Sequence, residues 1–279
     1  MAEPALSIPN ILRTRLPELP WLQRAVVKSL LLGCGRWIRV EGAGNLELVA
    51  DPAIFALNHN CSYETLLIPA YLLFRRKGRT VGFVCDWMFG KIPVLGWLFR
   101  QVDPIYVYNK PSTLGLLERC RPGADRRPAV SAQCLDRLAA GRSIALFPEG
   151  TRNRDPRNLL RGRKGVGRII LGSDAPLLPI GIDFPARLEQ ERIPACGPLI
   201  IRFGTPRRFE AERALYRRLA AASDLSERSR QRLAEYLVRR VTHAAMTEIA
   251  ALSGKNYPFP APAEPAEGER FFHMIPADH

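Results

Sequence analysis

His59 and Glu64, five positions apart, are residues whose types and spacing suit acid–base chemistry. Of four histidines, His59, His243, His273 and His279, the last two fall in a Pro-rich, aperiodic C-terminal stretch. His59 instead follows the apolar run Ile54 to Leu57, at what reads as a strand-to-loop junction. Ser62 is suited to cap the next helix, which places Glu64 in its first turn, where the helix dipole favours an ionised carboxylate. A carboxylate brought to an imidazole fixes its tautomer and stabilises the imidazolium formed on proton uptake, so the pair can activate a hydroxyl. Taken alone, such a spacing also arises by chance. A second group, Phe147-Pro148-Glu149-Gly150-Thr151-Arg152, puts a carboxylate, a flexible glycine and a guanidinium on one tight loop. That loop suits a polar or phosphorylated molecule, and equally an ordinary turn with a solvated arginine. Cys61, two positions from His59, is a possible nucleophile but reads better as a loop-packing residue.

The elements needed to hold these residues follow from the apolar pattern. Ile54–Leu57, Thr80–Cys85, Pro104–Tyr108, Ser143–Phe147, Leu177–Ile182 and Leu199–Phe203 read as short strands. Helices are expected after Ser62, over Ala129–Ala140, and as a pair between Glu210 and Leu252 broken near Ser223-Asp224. Alternating strands and helices predict an α/β fold with a mostly parallel central sheet flanked by helices. In such sheets ligands gather just beyond the carboxyl ends of the strands, where both His59 and Glu149 would lie. Trp21 to Ile38 reads as an amphipathic helix, with Trp21, Leu22, Ala25, Val26, Leu30 and Leu31 at three- and four-residue steps and Arg24, Lys28 and Arg36 between them. It suits packing on its own domain and equally a basic, Trp-bearing helix at a membrane interface. Asp86 to Arg100 is rich in large apolar residues that need cover, from the core, a lipid interface or an acyl chain.

The chain has 41 Lys and Arg against 27 Asp and Glu, a formal net charge of +14, so an anionic partner is expected. No nucleic-acid-binding module accompanies that charge, which favours an anionic membrane surface and excludes nucleic acid. Six cysteines, Cys34, Cys61, Cys85, Cys120, Cys134 and Cys196, show no paired short spacing, so reduced thiols are expected rather than a metal or redox motif. The apolar stretches are broken by charge before the ~20 residues that cross a bilayer, and the N-terminus lacks the pattern of a secretory signal. The expected organisation is an amphipathic, membrane-associating region over 1–40, one domain over 41–254 and a loose tail over 255–279.

Together, Asn58-His59 with Glu64, the Phe147–Arg152 box about ninety residues on, and Leu178-Pro179-Ile180-Gly181 resemble the glycerophospholipid acyltransferase family, of the 1-acyl-glycerol-3-phosphate acyltransferase kind. The resemblance covers roughly Val40 to Phe203. It implies an O-acyltransferase that moves a fatty acyl group from acyl-CoA or acyl-carrier protein to a hydroxyl of a lysophospholipid, with 1-acyl-glycerol-3-phosphate the foremost acceptor. It needs no cofactor and no metal, and it acts peripherally at the cytoplasmic face of the membrane in phospholipid biosynthesis. His59 would be the general base and Glu64 its orienting carboxylate, in place of the family's usual Asp. Glu149, Gly150, Thr151 and Arg152 would hold the acceptor, and Lys164 or a backbone amide of the Gly150 loop would stabilise the thioester oxyanion. Where the family carries an arginine for the acceptor phosphate, this chain has Asn109, followed by Lys110 as a point charge. That departure keeps two alternatives open: another lyso-lipid acceptor, such as an aminoacyl lipid or glycolipid, and a non-catalytic lipid-binding protein.

Overall fold

Strands that are apolar on both faces must be covered on both, and the computed structural model of the chain, which describes residues 6–91, 103–108, 128–222 and 225–265, shows that arrangement. Its strands are β1 (Ile38–Glu41), β2 (Ile54–Leu57), β3 (Gly82–Asp86), β4 (Ile105–Val107), β5 (Ile144–Leu146), β6 (Leu177–Asp183) and β7 (Leu199–Phe203). Among the described residues they form one seven-stranded sheet in the order β1-β7-β6-β2-β5-β3-β4. From β6 to β4 all neighbours are parallel, while β7 runs antiparallel to β6 and carries β1 parallel to itself.

The helices are α1 (Ile8–Arg13), α2 (Trp21–Cys34), α3 (Gly44–Glu47), α4 (Glu64–Arg75), α5 (Val130–Ala139), α6 (Gly165–Gly172), α7 (Glu210–Ala221) and α8 (Glu227–Ser253). Alternate residues of one strand serve opposite faces. Phe55 and Leu57 join Leu31, Leu67, Tyr71 and Ile180 in the core under α2 and α4. Ile54 and Ala56 join Ile144, Ile169, Leu237 and Met246 in the core under α5, α6 and α8. The two cores and the sheet between them make three layers.

Local expectations meet the structure unevenly. The apolar periodicity from Trp21 ends as helix at Cys34, and after a single 3-10 turn the chain enters β1, an edge strand that periodicity alone merges with the helix. Gly165–Gly172 is a helix that was not among the expected elements, its three glycines arguing against one. It forms because Val166, Ile169 and Ile170 are buried in the second core, so packing overrides propensity. Ser62 does not cap α4: no side-chain bond caps that helix, and the Ser62 hydroxyl is instead taken by Arg152.

The tail expected from residue 255 is packed at its start. Lys255 is 5% exposed, Asn256 N donates to Arg157 O at 2.8 Å, and Leu159 N donates to Asn256 O at 2.9 Å. Tyr257 Oη accepts from Gly162 N at 3.2 Å and its ring packs on Phe259. These contacts are tertiary, which is why an aperiodic stretch carries no sign of them. The apolar segment past Lys91, Asn109, Lys110, Cys120, His273 and His279 lie outside the described residues.

Candidate active site

The site stands at the carboxyl ends of two adjacent parallel strands. β2 delivers Asn58, His59 and Asn60, and its neighbour β5 delivers Phe147 to Arg152. Strand adjacency therefore turns a separation of 90 residues into direct contact.

Each turn of the first loop is fixed by a buried amide or carboxylate. Asn58 Oδ1 accepts from Ile182 N at 2.7 Å and its Nδ2 donates to Ile182 O at 2.9 Å, pinning the end of β2 to β6. Glu64 is fully buried, and its Oε1 lies 2.7 Å from His59 Nδ1. The same oxygen accepts from Asn60 N at 2.5 Å, and Oε2 accepts from Asn60 Nδ2 at 3.2 Å. An ionised Glu64 only accepts, so Nδ1 carries the imidazole proton and Nε2 presents its lone pair. The ring stacks on Phe147, centroids 4.1 Å apart and planes 20° from parallel. His59 thus has its tautomer, tilt and face fixed, with its side chain 15% exposed.

Glu149, expected at the acceptor, faces inward. It is 3% exposed, and its carboxylate is consumed by three donors. His59 N donates to Oε1 at 3.1 Å, while Asn153 Nδ2 and Leu160 N donate to Oε2 at 3.0 and 2.8 Å. Burial pushes its carboxyl above the ordinary value, opposed by the bonds from Leu160, His59 and Asn153 and by the charge of Lys255. Asn153 N also donates to His59 O at 2.7 Å, so the second loop grips the backbone of His59 on both sides. Glu149 is a clamp on the imidazole-bearing residue.

The rest of the box divides by exposure. Gly150 has a φ of +68°, a backbone conformation that favours glycine, and the Arg163 side chain packs over it where a Cβ would lie 2.3 Å from Nε. Thr151 is half-buried. Arg152 is exposed, one Nη1 bond of 2.6 Å to Ser62 Oγ holding its guanidinium beside the first loop. Lys164 does not join this cluster: its ammonium pairs with Glu235 on α8, which also holds Arg239. The Gly150 amide donates to Phe147 O at 2.9 Å, closing the turn. Lys164 and the Gly150 amide are therefore engaged elsewhere. Burial, then the nearby Glu64 charge, raises the Cys61 thiol above its ordinary value, which disfavours the thiolate a nucleophile needs.

Sequence reasoning missed Asn60, Asn153 and Lys255. Lys255 Nζ donates to Asn60 Oδ1 at 2.8 Å and to Asp155 O at 2.8 Å. The available signal was Gly254, a φ-positive helix stop that turns the following side chain inward. No group of His, Cys, Asp and Glu suited to a metal ion occurs among the described residues.

An α/β sheet with a carboxylate-held imidazole at its carboxyl edge, clamped by a neighbouring Pro-Glu-Gly loop, is an arrangement chemically suited to hydroxyl activation. The Acyltransferase family model matches residues 38–183, half of the chain, and the chain belongs to that family. It is 27% identical over 145 residues to 1-acyl-sn-glycerol-3-phosphate acyltransferase LPAT1, chloroplastic, of Arabidopsis thaliana, covering 51% of this chain and 35% of that protein. It is 27% identical over 143 residues to 1-acyl-sn-glycerol-3-phosphate acyltransferase BAT2, chloroplastic, of Brassica napus, covering 50% and 36%. The matched part thus spans about a third of the length of these curated relatives. Among solved structures, the 1-acyl-sn-glycerophosphate acyltransferase PlsC of Thermotoga maritima superposes with a TM-score of 0.49 at 20% identity, covering 82% of this chain and 81% of that one.

Proposed function

We propose that this protein transfers a fatty acyl group from a carrier thioester, acyl-CoA or acyl-carrier protein, to the free hydroxyl of a lysophospholipid, with 1-acyl-glycerol-3-phosphate the foremost acceptor. The observation that carries this reading is the 2.7 Å contact between His59 Nδ1 and the fully buried Glu64, on a residue whose backbone N–H is held by Glu149. His59 Nε2 takes the proton of the acceptor hydroxyl as its oxygen attacks the thioester carbonyl. The tetrahedral intermediate then collapses, the C–S bond breaks, and the imidazolium returns the proton to the leaving sulfur. Exposed Arg152 offers its free donors to the acceptor phosphate. The names of the plant relatives support this acceptor class.

The acceptor is delivered from an anionic membrane surface, on which the enzyme sits peripherally. Of the apolar residues of α2 only Val27 and Leu31 are buried, whereas Trp21, Leu22 and Leu32 are exposed together with Ile8 and Leu12 of α1. Arg13, Arg24 and Arg36 lie among them, also exposed, which suits the headgroup region. Trp37 sits 6.3 Å from Tyr63, in the loop between His59 and Glu64, so this face adjoins the site. No helix among the described residues is long and apolar enough to cross a membrane.

The test is thiol release from acyl-CoA with lysolipid presented in anionic vesicles, comparing the parent with His59→Ala. Loss of the base lowers turnover by ~10² to 10⁴-fold. Undiminished turnover in the variant defeats the mechanism.

A further inference from the structure

Lys255 lies beyond the matched family region, yet it reaches the catalytic loop. Gly254 ends α8 in the left-handed conformation, φ +65°, and its carbonyl accepts from Arg187 Nη2 at 2.6 Å. The helix end sits directly on β6, where a Cβ on Gly181 would lie 2.3 Å from the carbonyl carbon of Leu252. The Lys255 side chain that follows reaches the first loop.

There it meets Asn60. With Oδ1 taken by the ammonium at 2.8 Å, and by Asn58 Nδ2 at 3.3 Å, the Asn60 amide must turn its Nδ2 to Glu64 Oε2 and Ile182 O, both at 3.2 Å. Flipped, the amide would set a donor against two donors and an acceptor against a carboxylate. We propose that Lys255 is a positioning residue for the base, its ammonium fixing Asn60, which fixes Glu64 against His59. This rests on the reading of His59 as the general base.

The charge balance supports the same role. Glu64 on α4 and Glu149 on the second loop are both buried, and Lys255 is a buried cation whose charge acts on both. Asp155 of the second loop and Arg187, in the turn after β6, also face it. Arg187 is itself paired with Asp183, which together with Glu41 holds Arg202. Burial pulls the Lys255 ammonium down to about 8, resisted by Glu149 and Glu64. Its charge is therefore complete below that pH and lost as pH rises through it. Removing the ammonium takes a positive charge away from the neighbourhood of the Glu64–His59 pair, a change that favours the protonated over the neutral ring.

The experiment is the pH profile of kcat/KM for the full chain and for Lys255→Met and Lys255→Arg, with circular dichroism confirming fold. In Lys255→Met the acid limb moves up by about 1 pH unit with acceptor KM unchanged, the size expected from one neighbouring charge. In Lys255→Arg, which stays charged, the alkaline limb of the parent moves up by about 1 unit or more. Profiles that superimpose on the parent's overturn the inference, and Lys255→Arg alone decides if Lys255→Met does not fold. If His59→Ala is inactive while the Lys255 profiles do not move, only this inference falls; if His59→Ala stays active, the base itself is misassigned.

Discussion

Replacing Glu149 by Gln separates a residue that grips the substrate from one that grips the base. The amide oxygen can keep the two bonds made by Oε2, from Asn153 Nδ2 at 3.0 Å and Leu160 N at 2.8 Å. Its NH2 then faces the His59 N–H, which now sits 3.1 Å from an acceptor, so two donors oppose each other. One charge-assisted bond disappears, about 1.5–3 kcal/mol, and a buried N–H goes unsatisfied, about 1–3 kcal/mol more. Part of this is offset because the substitution removes a carboxylate whose burial already raises its proton affinity. A net loss of about 2 kcal/mol lowers the melting temperature by about 4–8 °C for a chain of this size. The backbone of His59 relaxes away from the clamp, and a shift of about 1 Å at a base lowers kcat by about 10²-fold. Steady-state kinetics over a range of lysolipid, with a thermal melt, measure both effects. The expected result is a fall in kcat with the acceptor KM unchanged. A raised acceptor KM at undiminished kcat would refute the reasoning and return Glu149 to the acceptor's side.

Arg152→Ala removes an exposed cation without disturbing the buried network. The KM for an anionic lysolipid rises about 10- to 100-fold, the worth of a charged hydrogen bond, and loses most of its salt dependence. An equal loss with an uncharged acceptor would contradict that role. Gly181→Ala forces a methyl against the backbone of Leu252 and Ser253, destabilising the fold by about 1–3 kcal/mol and lowering kcat as Lys255 shifts off Asn60. An unchanged melting temperature would show that α8 can move aside freely.

The parallel α/β sheet was legible because its strands carry unbroken apolar runs, such as Ile54–Leu57 and Leu177–Ile182, that only a sheet covered on both faces accommodates. His59 and Glu64 were legible because their contact is local, within one strand-loop-helix turn. The edge strand β1 was not, since Ile38–Glu41 continues the apolar pattern of the preceding helix and its pairing with Leu199–Arg202 is remote in sequence. Nor was α6, whose three glycines argue against helix until the core claims Ile169 and Ile170.

Within the site, residue types set the chemistry: an imidazole, a carboxylate to hold it, and an arginine on a Pro-Glu-Gly turn. Tertiary structure decided where each side chain points. Glu149 and Arg152 stand three positions apart, but the turn at Gly150 sends one inward to the His59 backbone and the other out to solvent. Lys164 was drawn off to Glu235, and Lys255 was brought in from the far end of α8. Those assignments depend on which strands lie side by side and which helix end meets the sheet. Such contacts form between residues up to 195 positions apart, beyond the reach of any local pattern.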